Sequence, residues 1–181
     1  MKDPELILVL SKLFCKDKTL QKEIELAITT PKKYIERFQK DLLKRGIRED
    51  VDSIPWIALV DGLYRRNLLK ELDWKSDPEE VIVICTTLLE SYPKFDIIFK
   101  ELSSIETEED IEDIEEFIPT INEKLILFDL QVVVIDINSD SYPFTILPIP
   151  QVKEAIGLAT SSGYGEIKPY TAPKKESRFL I

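Results

Sequence analysis

Five aspartates, one within an apolar segment and four in neighbouring elements or turns, are the residues best suited to chemistry. They are Asp73, Asp77, Asp129, Asp136 and Asp140. Carboxylates held close together can bind a magnesium ion or act as an acid/base pair. Asp77, Asp129 and Asp140 also suit local roles at a helix start, a helix–strand junction and a turn. An acid inside an apolar strand is costly unless exposed or paired, so we expect Asp136 to be exposed or hydrogen-bonded, with no metal there.

The chain contains no histidine, which excludes several classes of enzyme together. Ser-His-Asp catalysis, Cys-His catalysis and two-histidine zinc sites all require an imidazole. Cys15 and Cys85 are too few for a structural zinc site, and their apolar surroundings indicate free, buried thiols in a reducing compartment. The segment Gly163 to Gly165 lacks the lysine and hydroxyl of a phosphate-binding loop and indicates a turn. We expect no catalytic residue and no cofactor.

Charge is spread unevenly along the 181 residues, whose net charge is −10. Residues 1–70 carry 15 Lys and Arg against 11 Asp and Glu, whereas residues 71–142 carry 4 against 20. So acidic a region repels a phosphate backbone and attracts a positively charged protein. The sequence therefore argues against a nucleic-acid partner and favours a basic protein.

The strongest acidic run lies between Glu106 and Glu116. Isoleucines within and after it recur at steps of three and four, which predicts an amphipathic helix capped by Thr107 and kinked or split by Pro119. The acids of this helix are either a docking surface for a basic partner or only its solvated face. The acids expected to be exposed are Glu108, Glu109, Glu112, Asp113, Glu115 and Glu116, of which Glu109, Glu112, Asp113 and Glu116 are candidate binding residues.

Two apolar segments flank the turn sequence NSDS and predict a β-hairpin. Pairing across the turn puts Ile135 opposite Phe144 and Val133 opposite Ile146. The other face is half apolar, so we expect another layer to cover it. Pro143 lacks a backbone N–H and predicts a sheet edge or a bulge. The predicted core face consists of Val133, Ile135, Ile137, Phe144 and Ile146.

Apolar residues at helical spacing dominate the chain before residue 128. The third predicted helix opens at Thr30-Pro31, ends at Gly46 and carries a basic outer face, from Lys32 to Arg45. Trp56 and Trp74 suit anchors in or beside the core better than ligand-stacking residues. The predicted helices span about 4–14, 19–28, 30–46, 54–72, 78–92, the acidic run described above and 150–162, and a short strand follows in GEIKPY. Within the helix at 78–92, the β-branched run VIVICTT of residues 81–87 also suits a strand.

The segments LDWKSDPEE and LQVVVIDINSDSYPF resemble a family of small acidic bacterial proteins of unknown function. Similar domains occur among immunity proteins that neutralise secreted toxins. Trp74, Asp136, Asp140 and Tyr142 carry most of the resemblance, which covers roughly residues 55–165. The resemblance implies a bacterial, cytoplasmic and non-catalytic protein.

These patterns together predict an α+β fold, with a largely helical N-terminal two-thirds packed on a small antiparallel sheet. The sheet is centred on a hairpin at about 130–149. We expect one domain over residues 1–181, with residues 1–50 as a helical extension. No apolar segment approaches the roughly 20 residues of a membrane-spanning helix, and no signal peptide is evident. A cytoplasmic location is therefore expected.

The leading hypothesis for function is a non-catalytic, immunity-like binding protein whose acidic surface meets a basic protein. Its candidate binding residues include Trp74, Asp136, Asp140 and Tyr142, together with the four acids named above. One alternative is an enzyme or divalent-metal binder that uses the carboxylates around Asp136. Another is a self-associating structural protein whose basic third helix docks on the acidic region of a second copy.

Overall fold

The computed structural model describes residues 2–107 and 114–170. Within that part of the chain, no helix is both long and apolar enough to cross a membrane. The helices are α1 (Pro4–Phe14), α2 (Lys18–Thr29), α3 (Pro31–Arg37), α4 (Gln39–Lys44), α5 (Ile54–Arg65), α6 (Pro78–Leu89), α7 (Phe95–Ser103), α8 (Ile114–Leu125) and α9 (Ile149–Ser162). The strands are β1 (Lys70–Asp73), β2 (Leu130–Asp136), β3 (Ser141–Pro148) and β4 (Glu166–Lys168), and a short 3-10 turn (Ile126–Phe128) precedes β2.

The strands form one antiparallel sheet in the order β1-β3-β2-β4. Helices α1 to α8 precede the hairpin of β2 and β3, so the predicted α+β class and the helical N-terminal two-thirds are confirmed. Residues 150–162 form a helix and the GEIKPY segment contains a strand, as predicted.

Helices cover both faces of this sheet. On one face, Val133, Ile135 and Leu147 share an apolar core with residues of α1 to α5 and α9. On the other, Val132 and Val134 share a second core with residues of α6 to α8. Because side chains alternate along a strand, the continuous apolar run of β2 supplies both cores. The prediction that something covers the second face is confirmed.

The predicted hairpin register is wrong by one residue. Val134 pairs with Phe144 and Val132 with Ile146, where Ile135 and Val133 were expected. Phe144 and Ile146 therefore point into the core beneath α6 to α8, away from Val133 and Ile135. Register is strongly specified by sequence where one face is polar, but here both faces are apolar and the pattern fits either choice.

Pro143 was expected at a sheet edge or a bulge, but it lies in β3, an interior strand. On one side of β3, Pro143 pairs with Glu71 of β1. On the other side, the pairing with β2 extends no further toward the turn than Phe144. The proline, which has no N–H to donate, thus stands where the ladder to β2 ends.

The fourth predicted helix was drawn too long. Helix α5 ends at Arg65, Asn67 adopts a left-handed conformation with φ of 55°, and residues 70–73 form β1. Leu72 is buried in β1, and a buried residue at this spacing from the apolar residues of α5 would also fit a longer helix, so the spacing does not distinguish the two. The third predicted helix is also divided, into α3 and α4 at Phe38.

Helix α8 runs through Pro119 as a single element, so the helix is not split at this proline. Ile118, Ile121 and Leu125 are fully buried, which agrees with the predicted apolar stripe. Ile111, the first member of that stripe, lies outside the described residues.

We expect Ile135→Ala to lower the free energy of unfolding by about 2–5 kcal/mol, because it removes buried methyl groups and leaves a cavity. Ile135 of β2 is fully buried in the core that the sheet shares with α1 to α5 and α9. Urea denaturation would measure the change. The exposed Ile126 supplies the control, since Ile126→Ala should change stability by no more than about 0.5 kcal/mol.

The two cysteines are free, as predicted, but they differ in exposure. Cys85 on α6 is completely buried, and burial raises the pKa of its thiol to about 12. Cys15 is only half-buried. Because the thiolate is the reactive form, native protein at pH 8 should be alkylated by iodoacetamide at Cys15 and not at Cys85. Mass spectrometry of the two labelled peptides checks this, and rapid labelling of Cys85 without denaturant would contradict it.

Candidate functional site

Tyr142 belongs to a tyrosine–carboxylate network between β3 and α8. Its hydroxyl donates a hydrogen bond to Oε1 of Glu115 at 2.6 Å, and the hydroxyl of Tyr170 donates to the same oxygen at 2.6 Å. Burial, and then this carboxylate, raise the pKa of the Tyr170 phenol. Glu115 was expected on exposed helix surface, but it is half-buried because the two phenols draw it against the sheet.

Asp136 is held at the end of β2 by two partners. Its Oδ2 forms an ion pair with Nζ of Lys168 at 2.6 Å, and its Oδ1 accepts the N–H of Asn138 at 2.7 Å. The expectation that it is exposed or hydrogen-bonded is confirmed. Burial alone would raise the pKa of Asp136, but the hydrogen bonds from Lys168 and Asn138 lower it. A carboxylate with a lowered pKa is poorly matched to proton transfer near neutral pH.

Trp74 and Asp140 are neighbours, since the N–H of Trp74 donates to the carbonyl of Asp140 at 3.2 Å. Trp74 was predicted to anchor the core or its margin, but its side chain is 40% exposed and the ammonium of Lys75 lies over its ring. Trp56 fits the prediction. It is 2% exposed, and its Nε1–H donates to the carbonyl of Asp136 at 2.7 Å.

The remaining aspartates of the predicted group have separate local roles. Asp77 caps α6 by accepting the N–H of Glu80 at 2.7 Å, and Asp73 accepts the N–H of Lys75 at 2.9 Å. Asp129 follows the 3-10 turn in a left-handed conformation. Among residues 2–107 and 114–170, no three or more Cys, Asp or Glu side chains are grouped as a metal site requires.

The acidic candidates divide between described and undescribed residues. Glu116 is exposed on α8, as predicted, while Ile114 and Ile118 point into the core. Glu108, Glu109, Glu112 and Asp113 lie outside the described residues.

A cleft of about 610 Å³ opens where α4, α5, β1 and the start of β3 meet, and none of the sequence patterns above predicted it. We call it the Arg45 cleft. Asp73 and Ser141 on its wall are the direct sequence neighbours of Trp74 and Asp140, so it adjoins part of the predicted site. Its lining residues are Asp41, Lys44, Arg45, Asp61, Tyr64, Arg65, Asn67, Glu71, Leu72, Asp73 and Ser141.

Arg45 joins three elements through its guanidinium group. Its Nε donates to Oδ1 of Asp61 on α5 at 2.7 Å, and its Nη1 and Nη2 donate to the two oxygens of Glu71 on β1 at 3.0 and 2.8 Å. Ser141 of β3 donates a further hydrogen bond to Glu71 at 2.5 Å. Arg45 was expected on an exposed basic face, but its side chain points inward because it forms hydrogen bonds with the carboxylates of Asp61 and Glu71.

The two carboxylates of this network differ in their electrostatics. Burial raises the pKa of Asp61, and the contacts with Arg45 only partly oppose this. Burial would also raise the pKa of Glu71, but the hydrogen bonds from Arg45 and Ser141 lower it. The bidentate geometry at Glu71 is the stronger arrangement for arginine and carboxylate.

One signal in the sequence could have located this cleft. Asp61 interrupts the apolar run IPWIALVDGL, and all the residues from Ile54 to Leu63, Asp61 included, are buried. A buried charge requires a partner, so a basic residue had to reach Asp61 from elsewhere in the chain. Its partner Arg45 is 16 residues away, which is too far for helical spacing to reveal the pair.

Comparisons with known proteins identify a family and nothing more specific. Neither a curated protein nor a solved structure matches the chain. The model of a family described as "Domain of unknown function (DUF6630)" matches residues 5–170. The match begins well before residue 55, so the expectation that the first fifty residues stand outside the family is wrong. It spans the helices, the sheet and the Arg45 cleft, and the chain therefore belongs to this family of unknown function.

Proposed function

We propose that this protein is a non-catalytic binding protein whose acidic helical layer meets a basic protein partner, in the manner of an immunity protein. The observation that carries the proposal is the separation of charge by the sheet. We call residues 74–107 and 114–129, which comprise α6 to α8 and the segments beside these helices, the acidic layer. Residues 74–107 and 114–129 carry 4 Lys against 11 Asp and Glu, whereas residues 2–69 carry 14 Lys and Arg against 11.

The acidic layer keeps its charges at the surface. Exposed acids occur on each of its helices, and few basic side chains are near enough in sequence to neutralise them. A surface with one predominant sign of charge repels itself, which a purely structural role does not require. It also raises the association rate with an oppositely charged protein. The exposed acids are Asp77, Glu79, Glu80, Glu90, Asp96, Glu106, Glu116, Glu123 and Asp129.

Exposed apolar side chains are interspersed among these acids. Val83 on α6 and Ile97 and Phe99 on α7 are all exposed, although most apolar residues of these helices are buried or half-buried. Protein interfaces combine apolar and aromatic anchors with a polar rim. Such side chains give the acidic layer contacts that charge alone would not supply.

The proposal can be tested by capture from an extract of the native cell. Wild-type protein should retain a basic protein at about 0.1 M salt and release it at about 1 M, where the screening length falls to about 3 Å. The variant Glu79→Lys/Glu80→Lys/Glu116→Lys should retain much less. The control variant Glu25→Lys/Glu36→Lys/Glu154→Lys has the same change of charge on exposed residues of α2, α3 and α9 and should behave like wild type.

Two outcomes would contradict the proposal. One is that no basic protein is retained at low salt. The other is that both triple variants lose the partner equally, because the effect would then follow net charge and not the acidic layer.

Self-association is a second candidate, favoured by one observation. Five basic residues on α3 and α4 are exposed, and these could meet the acidic layer of another copy. They are Lys32, Lys33, Arg37, Lys40 and Lys44. Light scattering at about 0.1 M and 1 M salt distinguishes the two candidates, because only self-association predicts a dimer of the purified protein that dissociates at high salt.

A further inference from the structure

An apolar groove of about 290 Å³ opens where α8 and the start of β2 meet. We call it the α8 groove. Its apolar lining residues are Pro119, Ile126, Leu130 and Ile149. Ile126 is 59% exposed, and Leu127 beside it is 68% exposed. Exposed apolar side chains next to a groove are typical of a docking surface, because their removal from water is favourable.

The backbone of residues 169–170 is held at the edge of this groove. Asn122 and Gln131, which both line the groove, donate side-chain hydrogen bonds to the carbonyl of Pro169 at 3.3 and 2.8 Å. Asn122 also donates to the carbonyl of Tyr170 at 3.0 Å. The hydroxyl of Tyr170 donates to Glu115 on α8, so its side chain is anchored as well. The chain that follows Tyr170 therefore starts beside the groove.

The sequence that follows, TAPKKESRFLI, has a chemistry that complements the groove and its rim. It carries three basic side chains against one acidic side chain, and then three consecutive apolar residues, which are Phe179, Leu180 and Ile181. Glu116 and Glu123 are exposed on α8. Their spacing of three and four residues from Pro119 puts both acids on the same face of the helix as this lining residue. Acids thus flank an apolar groove, as basic residues precede an apolar triplet.

We propose that residues 171–181 dock on their own chain. The apolar residues 179–181 occupy the α8 groove, and Lys174 and Lys175 lie beside Glu116 and Glu123. Phe179 is nine residues beyond Tyr170, and an extended chain of that length spans up to about 30 Å, so the apolar triplet can reach the groove.

The occupant is the chain's own segment in preference to that of a second copy. A short tether gives a local concentration on the order of 1 mM, which exceeds that of other copies when the protein is at micromolar concentration. This inference does not rest on the proposed function, because the segment that fills the groove belongs to the same chain and no partner is involved.

Carbodiimide cross-linking of the full chain at micromolar concentration, followed by mass spectrometry, tests the proposal. The reagent joins a carboxylate directly to a lysine amine when the two are in contact. We expect links from Lys174 or Lys175 to Glu116 or Glu123. In an equal mixture of isotopically labelled and unlabelled protein, these links should join residues of the same chain.

Two variants separate docking in the groove from attraction between charges alone. Ile126→Asp in the groove and Phe179→Asp in the segment should each lower the yield of these links by about fivefold or more, because each places a charge at an apolar contact. Ile97→Asp is the matched control. Ile97 is 55% exposed on α7 and does not line the groove, so this variant should keep the wild-type yield.

The proposal would be overturned if wild-type protein formed none of these links, or if they joined mainly labelled to unlabelled chains. The second result would assign the groove to a second copy. An unchanged yield in Phe179→Asp, or in Ile126→Asp shown by circular dichroism to be folded, would also overturn it, as would an equal loss in Ile97→Asp. Because the experiment contains no partner protein, its failure is distinguishable from failure of the proposed function.

Discussion

Replacing Arg45 with methionine is expected to lower the free energy of unfolding by about 3–5 kcal/mol. The guanidinium is the shared cation of Asp61 and Glu71, and methionine would fill much of its volume without its charge. The buried carboxylate of Asp61 and the half-buried carboxylate of Glu71 would then lack their counter-ion. Chemical denaturation at pH 7 measures the loss. Lys44→Met is the control, since Lys44 is exposed on the same turn and should change stability by no more than about 0.5 kcal/mol.

The pH dependence of this effect follows from the sign of the shift at Glu71. Its pKa is lowered in the folded protein, so its contribution to stability is present above the ordinary glutamate pKa of about 4.3. That contribution is lost as the pH falls through the lowered pKa. In Arg45→Met, Asp61 and Glu71 can bind protons and relieve the uncompensated charge. The difference between wild type and variant should therefore shrink from pH 7 to pH 4, and a difference below about 1 kcal/mol at pH 7 would contradict the account of this network.

Replacing Trp56 with alanine is expected to cost about 3–5 kcal/mol, the usual loss for a buried aromatic side chain. Trp56 is 2% exposed, and its Nε1–H satisfies the carbonyl of Asp136. Its ring also lies against Gly165, where an added Cβ would approach Cε2 of the indole to 2.2 Å. Gly165→Ala should therefore destabilise the protein as well, because the ring cannot yield without disturbing the core.

Trp74 supplies a matched control for this second prediction. Its side chain is 40% exposed, so Trp74→Ala should cost about 1 kcal/mol or less. Thermal denaturation of both variants would compare them directly. Equal destabilisation by the two substitutions would contradict the assignment of Trp56 to the core and Trp74 to the surface.

Local signals in the sequence predicted much of the fold. Asp77 was expected at a helix start, and it accepts a backbone N–H there as the cap of α6. Asp3, which likewise precedes a proline, caps α1 in the same way. The turn residues after Asp136 predicted the hairpin. Its register could not be predicted, because Val132 and Val133 are equally apolar and each is buried by a different layer of helices. Strand β1 was missed since its pairing partner lies about seventy residues later in the chain.

The candidate site was harder to predict than the fold. Asp136 and Asp140 were grouped by their closeness in sequence, but Asp136 forms an ion pair with Lys168 of β4, which is about thirty residues further along the chain. The Arg45 cleft likewise depends on contacts between residues that are distant in sequence. Arg45 and Glu71 are 26 residues apart, and each alone resembles an ordinary surface charge. Only the tertiary packing of α4, α5 and β1 reveals that they form one network.

The central claim, that the acidic layer recruits a basic partner, is tested most directly by the rate of association with that purified partner. We expect the wild-type rate constant to fall by about tenfold or more as the ionic strength rises from about 0.1 M to 1 M. At 0.1 M, Glu79→Lys/Glu80→Lys/Glu116→Lys should associate about tenfold more slowly, with little change in the dissociation rate. The control Glu25→Lys/Glu36→Lys/Glu154→Lys should remain close to wild type. A rate constant that is insensitive to salt, or that falls equally in the two variants, would contradict the claim.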